Sequence, residues 1–217
     1  MNRYKCVIFD LDGTIIDSSS GIRKSIEETI KVLDFPQMDE GQLESCIGPP
    51  IQDSFRRIYD LNEKDANDAA AVFREYYKKK YLYDAKVYQG MKELLKQLRS
   101  HGILTMIATY KREDYTMKLL EKFDLLELFD YVKGSDFEGK LNKADIMNLC
   151  IEQSQYSRGE IVMVGDTSHD SGAAREVGLD FIAVTYGFGF QANSNVEGAI
   201  GTVDSVQELS YYFRKNI

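Results

Sequence analysis

Asp10 and Asp12 close the apolar run Val7-Ile8-Phe9 and are followed at once by Gly13-Thr14. Side chains two apart on an extended chain point to the same side, so the two carboxylates can face one site. Held side by side away from water, they repel unless a cation or a shared proton relieves them. Asp, Gly and Thr are also good turn residues, so the pair alone fits an ordinary strand-end turn. The remaining polar residues decide between these readings. Thr109 ends a second apolar run, Ile103 to Ala108, and Gly165-Asp166 ends a third, Ile161 to Val164. Asp170 lies four residues past Asp166, and Lys140 and Lys143 stand just before a helical pattern. Several carboxylates with no thiolate or imidazole partner suit a hard cation, and Mg²⁺ is the usual one beside phosphates. Carboxylates, a hydroxyl and a lysine around such an ion suit phosphoryl transfer with a carboxylate nucleophile.

These residues need a frame that brings distant strand ends together. After the first strand the pattern is helical for about seventy residues. Ile22, Ile26, Ile30 and Leu33 share one face behind the capping candidates Ser18-Ser19-Ser20, and Asp39–Cys46 reads as a short helix. Gly48-Pro49-Pro50 breaks the pattern. Helical stretches then follow near Ile51–Tyr59 and Glu63–Tyr81. In the latter, Tyr76, Tyr77, Tyr81 and Tyr83 read as packing residues and Lys78-Lys79-Lys80 as a solvated face.

From about residue 87 helices and strands alternate. Helices are expected around Met91–Leu98, Glu113–Phe123, from Lys143, Ser168–Val177 and Asp204–Arg214. Strands are expected at Ile103–Thr109, Tyr131–Lys133, Ile161–Gly165 and Phe181–Thr185. Continuous apolar strands alternating with helices imply a parallel sheet covered on both faces. The fold class is therefore α/β, with an inserted helical cap of residues 17–85 and a core of residues 1–16 and 86–217. In open parallel sheets the site lies beyond the carboxyl ends of the strands, where Asp10, Asp12, Thr109 and Asp166 all fall.

Composition narrows the function classes. The 217 residues carry a formal net charge of −8, which argues against nucleic acid or an anionic membrane as the main partner. Hydrophobic content of 43% suffices for a real core. Three scattered cysteines and two histidines, with no Cys-x-x-Cys, argue against a zinc site or a disulfide framework. No apolar run reaches membrane-spanning length, and no signal peptide precedes the first strand. A cytoplasmic protein, monomer or homodimer, is expected.

The motifs in order resemble the haloacid dehalogenase-like hydrolase superfamily, and within it the phosphoglycolate phosphatase-like group. Asp10-Leu11-Asp12-Gly13-Thr14 matches the first motif, Thr109 the second, Lys143 the third and Gly165-Asp166-Thr167-Ser168-His169-Asp170 the fourth. The resemblance spans nearly the whole chain, including the helical insert, and implies a Rossmann-like core. It implies that Asp10 attacks phosphorus to form an aspartyl-phosphate, while Asp12 protonates the leaving oxygen and later takes a proton from water. Thr109 would hydrogen-bond the phosphoryl group and Lys143 would offset its charge. Asp10, the backbone carbonyl of Asp12, and Asp166 would hold Mg²⁺, with Asp170 assisting through Lys143 or a metal-bound water.

The substrate-binding set implied is Gly13, Thr109, Tyr110, Lys143 and, in the cap, Gly48. Tyr110 departs from the Asn that many such proteins carry after the Thr, and Lys140 competes with Lys143. His169 and His101 are expected outside the chemistry, His101 as a helix C-terminal cap. The expected activity is hydrolysis of a small phosphorylated metabolite, a phosphoglycolate-like compound or a sugar phosphate. A phosphomutase shares all four motifs, although the segment after Asp17 lacks the histidine associated with that activity. An inorganic pyrophosphatase is a further alternative. A non-catalytic phospho-ligand module would be expected to lose Asp10 or Asp12, and both are present.

Overall fold

The computed structural model describes residues 3–136, 140–192 and 194–216. Contacts divide the chain into two compact units, Met1–Asp17 with Val87–Ile217, and Ser18–Lys86.

The larger unit is built on six parallel strands. They are β1 (Cys6–Phe9), β4 (Leu104–Arg112), β5 (Tyr131–Ser135), β6 (Ile161–Gly165), β7 (Asp180–Val184) and β8 (Gly201–Val203), in the spatial order β5-β4-β1-β6-β7-β8. Two-residue strands β2 (Ile16–Asp17) and β3 (Lys86–Val87) form a separate ribbon. Cys6, Ile8, Met106, Ile161 and Met163 pack with Ala144, Ile146 and Met147 of α7 (Lys143–Ser154) and with Ala173 and Ala174 of α8 (Ser168–Val177). Val7 and Phe9, which alternate to the other face, are also fully buried. Burial on both faces is why these strands read as continuous apolar runs rather than alternating ones. Helix α5 (Met91–Ser100) packs on β4 and on α9 (Val206–Asn216), and α6 (Glu113–Lys122) packs on β4 and β5. His101 caps α5, with its Nδ1 2.8 Å from the Gln97 carbonyl oxygen.

Register sets the level of the strand ends. Phe9 lies beside Ile107 of β4 and Val164 of β6. Asp10 therefore leaves the sheet level with Ala108 and Gly165, and its N–H still donates to the Val164 carbonyl at 2.9 Å. The sequence pattern ends β4 at Thr109, but the strand runs on to Arg112. The cause is β5, which runs to Ser135 and pairs it with Arg112 past an irregularity in register. Strand β8 escapes the pattern because Gly201-Thr202-Val203 offers no apolar run.

The smaller unit is helical, with α1 (Ser19–Leu33), α2 (Glu40–Glu44), α3 (Ile51–Tyr59) and α4 (Glu63–Tyr76). Ile22, Ile26 and Ile30 of α1, Phe55 of α3, and Ala66, Ala69, Ala70 and Phe73 of α4 form its interior. The stretch read as one helix to Tyr81 changes pitch after Tyr76 into a π-helical turn, Tyr77–Tyr81. Tyr77 is buried and stacks on Phe73, whereas Tyr83 is half exposed, so packing is not the common role of these tyrosines. Lys78, Lys79 and Lys80 are exposed. Among the described residues no helix is long and apolar enough to cross a membrane.

The extension of β4 depends on Gly134 of β5. A Cβ there would lie 2.5 Å from the Lys111 carbonyl oxygen and 2.6 Å from the Glu113 nitrogen. Gly134→Ala should force the two strands apart and destabilise the protein by about 1–3 kcal/mol, read as a lower Tm in a thermal melt. An unchanged melt would show that this close approach does not constrain the strand.

Candidate active site

Two strand ends and two helix starts deliver one polar cluster. Asp10 sits just past β1, Asp166 just past β6, and Asp170 in the first turn of α8, all buried. Asp170 is fixed by a capping box, in which its Oδ2 accepts from Thr167 N (3.1 Å) and Thr167 Oγ1 (2.7 Å). Asp166 is held from both sides, its Oδ1 accepting from Thr14 Oγ1 (3.3 Å) and its Oδ2 from Phe188 N (2.8 Å).

Lys143 opens α7 and is only 4% exposed. Its Nζ lies 2.5 Å from Asp10 Oδ1 and 2.8 Å from Asp170 Oδ1. Lys140 is exposed, and its backbone N–H donates to Asp136. Of the two lysines, Lys143 is the one whose ammonium meets the carboxylates.

Charge accounts for the electrostatics. Burial pushes the Asp10 carboxyl well above the usual carboxylate range, against the pull of Lys143, with Asp170 and Asp12 adding to the rise. Burial, then Asp170 and Asp10, push Asp166 up as well. Burial opposes the charge on Lys143, but Asp10 and Asp170 outweigh it and hold the ammonium charged beyond its ordinary range. One ammonium thus faces three carboxylates. Oxygen atoms of Asp10, Asp166 and Asp170 all lie within 4.8 Å of one another. Asp170 Oδ1 is buried and, despite its ion contact with Lys143, receives no aligned hydrogen bond. A compact, oxygen-only set with excess negative charge fits a divalent cation.

Asp12 faces a different partner. Its Oδ2 lies 2.9 Å from Lys111 Nζ, and both side chains are largely buried. The pair places the Asp12 carboxylate against an ammonium, outside the group of three. Thr109 is buried, with its Oγ1 accepting the Lys111 N–H at 3.2 Å. Tyr110 Oη accepts the Lys143 N–H at 3.1 Å. Gly13, at φ +84°, lies so close to Asp166 that a Cβ would sit 2.1 Å from its Oδ2. Gly48 belongs to the helical unit, in the turn between α2 and α3. His169 is exposed, its ring 5.8 Å from that of Tyr110.

Two contributors had escaped the sequence reading. Lys111 sits in a Lys-Arg-Glu-Asp run that looks solvated, yet it shares the facing of Thr109 on an extended strand. The segment Tyr186-Gly187-Phe188-Gly189 follows β7 and wraps Asp166. A Cβ on Gly187 would lie 2.4 Å from Asp166 Oδ2, and one on Gly189 2.7 Å from the Asp166 carbonyl oxygen. Two glycines directly after a buried strand are the signal that marks such a close approach.

The family of haloacid dehalogenase-like hydrolases matches residues 7–184. The chain belongs to that family. A 5'-nucleotidase of Pseudomonas aeruginosa is 31% identical over 86% of this chain and 85% of its own length. A phosphoglycolate phosphatase of Chromobacterium violaceum is 30% identical over 100% of this chain and 99% of its own. A tyrosine-protein kinase, PtkA, of Mycobacterium tuberculosis is 30% identical over 93% of this chain and 71% of its own. Among solved structures, a predicted phosphatase from Clostridium acetobutylicum superposes with a TM-score of 0.91 at 35% identity, over 98% of this chain and 99% of that one. The α/β fold and the phosphatase-type hydrolase class follow from this kinship, and the choice of phosphorylated substrate does not.

Protons compete with a metal for these carboxylates, so metal affinity should fall with pH. At a hundred times its Kd a bound ion stabilises by about 2.7 kcal/mol, which for a chain of this size raises Tm by about 5–10 °C. MgCl₂ should give such a rise at pH 8, less at pH 6, and little in Asp166→Asn. A rise of equal size in Asp166→Asn would place the ion elsewhere.

Proposed function

We propose that this chain hydrolyses a small phosphate monoester with Mg²⁺ through an aspartyl-phosphate on Asp10. The observation that carries the reading is the Lys143 ammonium held between Asp10 and Asp170, beside a buried carboxylate set fit for a divalent cation. An ion held by Asp10, Asp166 and Asp170 would neutralise charge on the phosphoryl oxygens. In the first step an Asp10 oxygen bonds to phosphorus as the bond to the leaving oxygen breaks, and Asp12 gives that oxygen a proton. In the second, water attacks phosphorus, its proton passes to Asp12, and the Asp10–phosphorus bond breaks.

Lys143 offsets the negative charge of Asp10 and of the phosphoryl group, and its burial strengthens that effect. Thr109, within β4, offers a hydroxyl to a phosphoryl oxygen. Lys111 holds Asp12 at its Oδ2, and Asp12 carries a proton when it meets the leaving oxygen. Residues Met1–Asp17 and Val87–Ile217 carry all of this chemistry. The named relatives include a nucleotidase and a phosphoglycolate phosphatase, so nucleoside monophosphates and small phosphorylated acids are the first substrates to try.

An aryl phosphate should release phosphate with Mg²⁺, and a chelator should abolish release. Asp10→Asn should lose activity to the limit of detection. Lys143→Met should lose about 10²–10³-fold in kcat, the loss typical of one charge-stabilising donor. Undiminished turnover by Asp10→Asn would rule out the covalent route.

A further inference from the structure

We propose that Tyr110 is a positioning residue that sets the Lys143 ammonium for phosphoryl transfer. The proposal rests on the phosphatase reading of the same site. The first N–H groups of a helix have no partner within it. In α7 the Asn142 side chain accepts from Asp145 N, which leaves the N–H of Lys143 itself, the first helical residue. That N–H donates to Tyr110 Oη at 3.1 Å. The ring of the same tyrosine faces the other end of the lysine, with Nζ 5.7 Å from its centroid. One side chain therefore touches both the backbone root and the charged tip of Lys143.

The placement reaches further. The Tyr110 ring meets His169 edge to face at 5.8 Å, at the second residue of α8 and next to Asp170, which Lys143 also contacts. Tyr110 thus bridges the starts of α7 and α8, the two helices that bring Lys143 and Asp170 to Asp10. It reaches them from the last stretch of β4, the extension fixed by the pairing of Arg112 with Ser135. A lysine side chain has many rotamers to lose, and an ammonium displaced by an ångström or less weakens its action on the transferring group. Contacts at both ends of Lys143 remove that freedom before substrate arrives. The Tyr110 hydroxyl oxygen accepts from the start of α7, and through that bond it acts on Lys143.

The test is a double-mutant cycle with an aryl phosphate and saturating Mg²⁺. Tyr110→Phe keeps the ring and removes the hydroxyl. It should lower kcat by about fivefold to tenfold, the scale of one lost hydrogen bond, with KM nearly unchanged. In a Lys143→Met background the same change should have no effect on the single-turnover rate. Calorimetric binding of orthovanadate with Mg²⁺ repeats the cycle without turnover, and Tyr110→Phe should weaken it only when Lys143 is present. An equal effect in both backgrounds, a change confined to KM, or an unchanged kcat in folded Tyr110→Phe would each overturn the proposal. Asp10→Asn, assayed alongside, reports on the nucleophile alone. Its retention of activity would defeat the covalent route, and absence of Mg²⁺-dependent phosphate release by the unsubstituted protein would defeat the phosphatase reading, whereas the cycle tests Tyr110.

Discussion

Mutual repulsion among three buried carboxylates is the constraint around which the larger unit is arranged. Asp10, from the end of β1, meets Asp166 and Asp170, from the turn between β6 and α8, with one ammonium among them. Isolated burial of such charge is prohibitive, so each carboxylate is held by something specific. Thr167 holds Asp170, Thr14 and Phe188 hold Asp166, and Lys143 holds Asp10. These partners fix directions as well as charge, and a donor set with fixed directions is what an incoming cation needs.

The same constraint explains where the backbone is forced to approach closely. Gly13, Gly165 and Gly187 each stand where a Cβ would strike Asp166 or Asp170. The carboxylates are approached closely by main chain on these sides. Asp12 differs in kind. It pairs with Lys111 and is the more exposed of the two motif aspartates, as suits the proton exchange proposed for it.

Much of this was legible in the sequence because burial on both faces writes strands as plain apolar runs. Val7–Phe9 and Ile161–Val164 gave their ends away, and with them Asp10 and Asp166. Lys143 was readable from its position at a helix start, although only the fold separates it from Lys140. What stayed hidden depends on neighbours distant in sequence. The extension of β4 to Arg112 is imposed by β5, and it turns Lys111 from an apparent surface lysine into the partner of Asp12. The loop Tyr186–Gly189 carries no ionisable side chain except a phenol, so its hold on Asp166 through a backbone N–H leaves almost no trace in residue type. The change of pitch at Tyr77 is likewise a matter of tertiary fit, since the local sequence continues a good helix.

The strand order carries a consequence for biosynthesis. β1 lies in the middle of the sheet, yet one neighbour begins at Leu104 and the other at Ile161. On the ribosome this apolar strand is made before both neighbours and waits for about 150 further residues before both of its edges are paired. An unpaired apolar strand is an aggregation hazard during that interval, and flanking charges are the usual guard against it. Asp10 and Asp12 stand at the end of that strand. The residues proposed to carry out catalysis therefore also place negative charge at the end of that strand while the nascent chain is incomplete.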